Sequence, residues 1–339
     1  MCTTSMPQRI AHHERERCEM APEAPFFATR GARLLTASVL FVVLLSAGNR
    51  SPVAQTAFWQ NISGPAEGGA VGPVAIGANG HIFAATPTGL IRSTDGGETW
   101  VALNTGSAEM FVTVLAVNAN GHVFAGVLGQ GLLRSEDDGE NWAPVNAGLP
   151  PNRAVMSLVP DARGSMLAGT YAGLFRSVDN GANWTSVDGM PADAPILSLV
   201  VDASGQLFAG SVEGRLFRSA DNGVSWGAVR AVISAPNRAD DRPMDNFERL
   251  AVGAGGRLFA GLGFGGVYRS TDNGDTWTPH PDWWNAYSPM LLSLAANAQG
   301  HLFVGTDGQG IWRSINNGDT WTTINAGVRD AYVGHFAAN

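Results

Sequence analysis

The chain has 339 residues; 43 are Gly, only 15% are charged, and the formal net charge is -8 with a pI near 5.3. All 21 basic residues are Arg, so Schiff-base chemistry and a phosphate-gripping lysine are excluded, and the acidic balance gives no general attraction to nucleic acid or anionic lipid. So much Gly with so little charge suits short buried strands joined by tight turns, with few helices.

At the N-terminus, Arg30 and Arg33 lead into the apolar run 34–47, which ends in Ser46, Ala47 and Gly48. This is the layout of an export signal, and the run is short for a membrane span. Residues 1–48 are assigned to the signal, with Met20 as the expected true start; an uncleaved anchor is the alternative. Cys2 and Cys18 both precede the run, so the rest of the chain has no disulfide and no thiolate metal site. Loss of residues 1–48 removes five Arg and four Glu and leaves an acidic domain of net charge -9, with no stable membrane insertion expected.

From there S-x-D-x-G-x-x-W recurs at 93–100, 135–142, 177–184, 219–226 and 270–277, and a sixth copy at 314–321 has Asn316 in place of Asp. The starts are 42, 42, 42, 51 and 44 residues apart, a period that points to propeller blades or another stacked repeat. Each unit opens with an apolar run such as 111–117 and a turn ending in Gly121 or its equivalents, the pattern of a hairpin. The second strand places small residues after an aromatic one, as in Phe124-Ala125-Gly126, so that neighbouring units can approach closely. A third strand reads Gly-Leu-Phe-Arg-Ser or a variant, with Arg92, Arg134, Arg176, Arg218, Arg269 and Arg313 at one repeat position.

Within the motif, the carboxylates of Asp95, Asp137, Asp179, Asp221 and Asp272 can accept backbone N–H bonds across a turn, as can the Asn316 amide. The motif Gly suits a positive-φ position. The strictly repeated Trp residues are expected between the units as packing, not as a stacking platform for ligand. The Arg series is expected to bond locally beside its own motif. His81, His122 and His301 also share a repeat position, and no metal site or cofactor is expected.

The motif is the Asp-box, or BNR repeat, and from Trp59 to the C-terminus the chain resembles Asp-box β-propellers. The resemblance implies an all-β fold of four-stranded antiparallel blades, with the box as the hairpin between the third and fourth strands. Residues 49–57 are then a linker and 58–339 a single propeller of six complete blades plus remnants of a seventh from both termini. Trp59 precedes Gly80 by 21 residues, as Trp100 precedes Gly121, so 59–62 reads as a fourth strand without its own blade. Residues 332–339 align with 111–118 as a first strand. The second and third strands of that blade are missing, as if the reading frame had lost about twenty residues of the repeat. Completing one blade from both termini would remove exposed sheet edges.

In such propellers the boxes lie opposite the usual binding face, so function is sought where the chain departs from the repeat. The longest departure, 227–249, contains Arg238, Asp240, Asp241, Arg242, Asp245 and Glu248; the next blade connection contains His280, Asp282, Trp283, Trp284 and Tyr287. Carboxylates beside aromatic rings suit carbohydrate, and Asp240 or Asp241 facing Asp282 would form a glycosidase-type pair. Sialidases of this superfamily carry an Arg-Ile-Pro motif that is absent here, and 71–78 contains no Arg. Xyloglucan-active relatives use a cleft between two propellers, and this chain holds one. The even spacing most resembles the photosystem II assembly-factor type. The expectation is an exported, non-enzymatic propeller that binds a protein or glycan through inter-blade loops, with a glycoside hydrolase as the alternative.

Overall fold

Apolar runs between the boxes pair as antiparallel sheets, and they do so six times. The computed structural model describes residues 72–106, 110–151, 154–161, 164–191, 194–230, 232–233, 247, 249–262, 266–281, 290–297, 299–325 and 333–336. The segments expected as export signal (1–48), linker (49–57) and lone fourth strand (59–62) lie outside the described residues. Blade 2 shows the plan: Val112–Val117, Val123–Val127, Gly131–Ser135 and Ala143–Pro144 follow one another across the sheet. Its register pairs Leu115 with Ala125, Ala125 with Leu133, and Arg134 with Ala143. Blades 1, 3, 4, 5 and 6 begin with Val74–Ile76, Val155–Pro160, Ile196–Val201, Arg249–Val252 and Leu291–Ala296. These first strands pack on one another in sequence, so the sheets succeed each other in a propeller arrangement.

Second strands carry the core. All five residues are buried in Ile82–Thr86, Val123–Val127, Met166–Thr170, Leu207–Ser211, Leu258–Leu262 and Leu302–Thr306. A strand covered on both faces reads as a continuous apolar run, not as an alternating one. Phe83, Ala85 and Leu90 of blade 1 meet Val123, Ala125 and Leu133 of blade 2, with Leu103 and Trp142 packed at the margin. Each fully buried Phe contributes about 1.5–3 kcal/mol through its lost apolar surface.

The small residue that ends each Phe-Ala-Gly run sets the spacing between blades. A Cβ on Gly126 would lie 3.1 Å from the Val155 carbonyl oxygen of blade 3, and one on Gly210 would lie 2.7 Å from the Phe247 carbonyl oxygen at the entry to blade 5. The sequence expectation of close approach is met.

Residues 232–233 depart from the expected loop. Val232–Ile233 pairs in parallel with the outer strand Thr276–Pro279, which gives blade 5 a fifth strand. The stretch that accounts for the 51-residue spacing therefore reaches the outer edge of blade 5. Its far end is fixed as well: Phe247 is fully buried, 5.4 Å from the Trp277 ring. After blade 6, Val333 donates its N–H to the Thr306 carbonyl (3.1 Å) and its own carbonyl accepts from Ser293 Oγ (2.9 Å).

If Gly210 sets the approach of blade 5, Gly210→Ala should destabilise by about 1–3 kcal/mol through overpacking. Gly227→Ala is the matched control, because a Cβ at that position would meet nothing within 4 Å. Denaturant titration of both variants, with unchanged slope, provides the measurement.

Candidate functional site

The box turns are closed by one repeated set of hydrogen bonds. In blade 2, Ser135 Oγ donates to Asp137 Oδ1 (2.8 Å) and accepts from Gly139 N (2.8 Å). Asp137 Oδ1 also accepts from Asn141 N (2.8 Å), and Oδ2 accepts from Asn141 Nδ2 (2.7 Å). Asp95, Asp179, Asp221 and Asp272 make the same pair of bonds to Thr99, Asn183, Ser225 and Thr276. In the sixth box Asn316 accepts from Thr320 N and donates to Thr320 Oγ1, so an amide does the carboxylate's work. Gly139 has φ 93°, as expected for the box Gly.

A second positive-φ residue precedes that Gly in each box: Gly96, Asp138, Asn180, Asn222, Asn273 and Asn317. Its carbonyl is the partner of the repeated Arg. Arg92 Nη1 donates to Asp138 O (2.6 Å), Arg134 Nη1 to Asn180 O (2.6 Å) and Arg218 Nη1 to Asn273 O (3.1 Å). Arg269 pairs with Asp319 of the sixth box. The expectation that each Arg serves its own box is therefore corrected: the side chain is long enough to cross the junction and grips the next box, although Arg134 also pairs with its own Glu136. Arg176 turns back to Asp161 and Ser165 of its own blade. The sequence signal was present, since only Gly, Asp and Asn occupy the residue before the box Gly, the types that tolerate positive φ. His81 joins this face, with Nδ1 2.7 Å from Asp138 Oδ2.

The other face is built from the turns between second and third strands. Thr86, Thr170 and Thr306 lock three of them by donating Oγ1 to the carbonyls of Gly89, Gly173 and Gly310, at 2.9, 3.0 and 2.8 Å. Blade 2 has Val127 at this position, with no hydroxyl. There Leu128 N donates to Phe111 O (2.9 Å), which holds two exposed apolar side chains together: Phe111 is 71% and Leu128 56% exposed. Tyr171, 37% exposed, occupies the corresponding turn of blade 3. None of these three residues was singled out from the sequence as a site. The signal would have been Val127 in a position where four blades carry Thr or Ser and blade 5 carries Leu262.

Arg238, Asp240, Asp241, Arg242, Asp245, Glu248, Asp282, Trp283, Trp284 and Tyr287 lie outside the described residues. The structure fixes their flanks. Arg249 donates Nε to Leu292 O (2.8 Å), and burial together with the Arg249 charge pushes the His335 imidazole down to about 4. His280 takes the fourth-strand place of Val145 and Ile324: its N–H donates to Val267 O (2.9 Å), its Nε2 lies 3.2 Å from Asp319 O, and its ring stands edge-on to Trp321 at 6.4 Å. Among the described residues no group of three or more His, Cys, Asp or Glu is placed to hold a metal ion, and no helix is long and apolar enough to cross a membrane.

Among the described residues, sheet order and stacking define a β-propeller of six blades of four antiparallel strands, with the short parallel strand Val232–Ile233 added to blade 5. Its repeat is the Asp-box: the family model described as BNR/Asp-box repeat matches residues 268–279, around the fifth box, and the other boxes share its bonding. The chain is similar to the solved structure of YCF48 bound to D1 peptide, at 19% identity over 78% of this chain and 83% of that one, with TM-score 0.55. It is similar to virginiamycin B lyase from Staphylococcus aureus with quinupristin, at 14% identity over 80% and 89% of the two chains, with TM-score 0.60. It is also similar to a GH74 xyloglucanase from Xanthomonas campestris, at 18% identity and TM-score 0.52, covering 73% of this chain but only 45% of the enzyme. No curated protein matches the sequence. At such identities the shared property is the fold.

Hydrogen bonds from Asn141 and Ser135 hold Asp137 at about 2, below the ordinary 3.8. Asp95, Asp179 and Asp221 are held at about 2 by the equivalent bonds; in Asp272 burial opposes them and the bonds from Thr276 and Ser270 prevail. A carboxyl more acidic in the folded chain than in the unfolded one stabilises the fold above its unfolded value, and that contribution disappears as the pH falls towards the folded one. Thermal stability should therefore drop between pH about 4 and about 2. Asp137→Asn, which copies the sixth box, should keep the fold and remove only its own share of that acid limb in a pH series of melting curves, leaving the share of the other four carboxylates.

Proposed function

We propose that this is an exported, non-enzymatic propeller that binds an extended polypeptide segment on the face opposite the Asp-boxes. The observation that carries the proposal is the Phe111–Leu128 pair, two exposed apolar residues joined by one backbone hydrogen bond at a turn without the threonine lock of blades 1, 3 and 6. Neighbouring apolar side chains kept at a surface favour association, and a rigid platform lowers the ordering cost of binding. The acidic chain favours a segment that carries Arg or Lys beside its apolar residues. The similar YCF48 structure is a complex with a peptide, which supports a polypeptide over a glycan. Export rests on the 1–48 signal.

Selection from a display library of extended peptides should return sequences with apolar residues at alternate positions. Phe111→Ala and Leu128→Ser should each weaken the selected peptide at least about tenfold, as loss of an interface anchor does, with melting temperature unchanged because both side chains are exposed. Failure to select any peptide, together with cleavage of xyloglucan or a sialoside that is lost in Asp240→Ala, Asp241→Ala or Asp282→Ala, would instead establish the hydrolase.

A further inference from the structure

We infer that the junction between blades 3 and 4 is a second docking surface, on the Asp-box face, which receives an arginine side chain of a partner polypeptide at the carbonyl of Asn222. The other junctions supply the template. Arg92, Arg134 and Arg218 each cross to the next box and donate to the carbonyl of the residue before its Gly, at 2.6, 2.6 and 3.1 Å, and Arg269 pairs with Asp319 of the sixth box. In blade 3 the guanidinium is elsewhere. Arg176 Nη2 donates to Asp161 Oδ2 (3.0 Å), whose side chain is fully buried, and to Ser165 Oγ (2.9 Å). Asn222 stands before the box Gly of blade 4 with φ 58°, like its counterparts, and among the described residues no donor reaches its carbonyl.

The sequence explains why. At the other described junctions an acid holds the arginine: Glu140 for Arg92, Glu136 for Arg134, Asp275 for Arg218 and Asp319 for Arg269. These acids occupy the second position of one box or the sixth position of the next. Between blades 3 and 4 the same two positions hold Val178 and Val224, so nothing there competes with Asp161. Val178 is 73% and Val224 53% exposed. Because the arginine touches one or other of these positions at each of the other described junctions, the two valines border the Asn222 carbonyl and offer apolar surface to the methylene stem of an incoming arginine. Asp179 and Asp221, held at about 2 by their box bonds, keep their charge on either side. A carbonyl acceptor, an apolar border and a negative field together fit a guanidinium on a hydrocarbon stem. The same carboxylates would repel a second copy of this chain, since a symmetric contact brings like patches together. The surface lies opposite Phe111 and Leu128, so it goes beyond the peptide site and does not rest on it; a propeller with both joins two polypeptides.

The test titrates N-acetyl-arginine N-methylamide into the full chain and follows the backbone amide resonances. Saturable shifts of Asn222, Gly223 and Val224 are expected, with at least about fivefold weaker affinity for the lysine counterpart, because an ammonium cannot present the planar fork. Free arginine should also bind more weakly, since its carboxylate meets Asp179 and Asp221. Asp161→Asn gives blade 3 the residue that blades 2 and 6 carry as Asn118 and Asn297. It should let Arg176 cross as Arg134 does and lower the affinity at least about tenfold, as loss of a hydrogen bond to a charged group does. Val178→Ala with Val224→Ala, which copies Ala220 and Ala182 of the neighbouring boxes, should keep the fold and lower the affinity at least about threefold through lost apolar contact. Phe111→Ala should change nothing here, so that loss of the peptide site and loss of this one are separable. Equal affinity for the arginine and lysine probes, shifts of the same size at the other boxes, or affinity undiminished in both variants would overturn the inference. Free arginine bound as tightly as the capped probe would overturn the polypeptide partner.

Discussion

A second strand such as Val123–Val127 is apolar on both faces, so a blade standing alone would leave one of its two apolar surfaces in water whichever way it turned. Stacking is the only way to bury both. The junctions, not the sheets, are therefore where the fold is decided, and in repeat proteins of this kind stability is close to a sum over neighbours. At the described junctions Phe83, Phe124, Leu167, Phe208 and Phe259 pack with Ala125, Ala168, Ala209, Ala260 and Val304 of the next blade, and Gly126, Gly169 and Gly210 admit the next blade's backbone at a distance that a Cβ would not allow. Volume is conserved across the pair: at four of the five described junctions a large residue faces an Ala.

The Asp-box adds a polar layer to that apolar one, and it does so on one face only. Its side-chain acceptor is used inside its own turn, which leaves the residue before the box Gly to present its carbonyl outward, where at three junctions the Arg of the preceding blade takes it. Without the internal knot the carbonyl would have no fixed direction; without the Arg it would be a half-buried acceptor relying on water. One face of the propeller is thereby cross-linked from blade to blade by Arg side chains, while on the opposite face the turns are locked within their own blades and neighbours meet through backbone, as from Phe247 N to Ser211 O. Variation is tolerated where no neighbour has to be satisfied.

Much of the fold was legible in the sequence because a repeat reports its constraints several times. The period, the strand runs, the box Gly and the inward Trp were all readable from recurrence. The direction of the Arg was not: its spacing from its own box, one residue before the box Ser, made a local bond look natural, and only the stacking distance between blades shows that Arg92 reaches Asp138. The pairing of Val232–Ile233 with blade 5 was also hidden, since two residues of extended chain in a polar insertion give no period to detect. Phe111 and Leu128 were missed for the opposite reason. An exposed Leu in a turn is ordinary by itself, and its meaning emerges only against Thr86, Thr170 and Thr306.

That contrast shows how such a scaffold can gain a binding function at little structural cost. Val127 is 1% exposed and keeps the packing that Thr86, Thr170 and Thr306 provide in their blades; what it gives up is one hydroxyl bond within a surface turn. Such a bond contributes on the order of 1 kcal/mol, small beside the burial at the junction below it. The turn is still held in shape by Gln130 N donating to Val127 O at 3.1 Å and by Leu128 N donating to Phe111 O. The backbone of the turn stays fixed, and Phe111 and Leu128 beside it stand exposed. A site made this way is preorganised, because the ordering entropy was lost when the blade folded and not when the partner arrives.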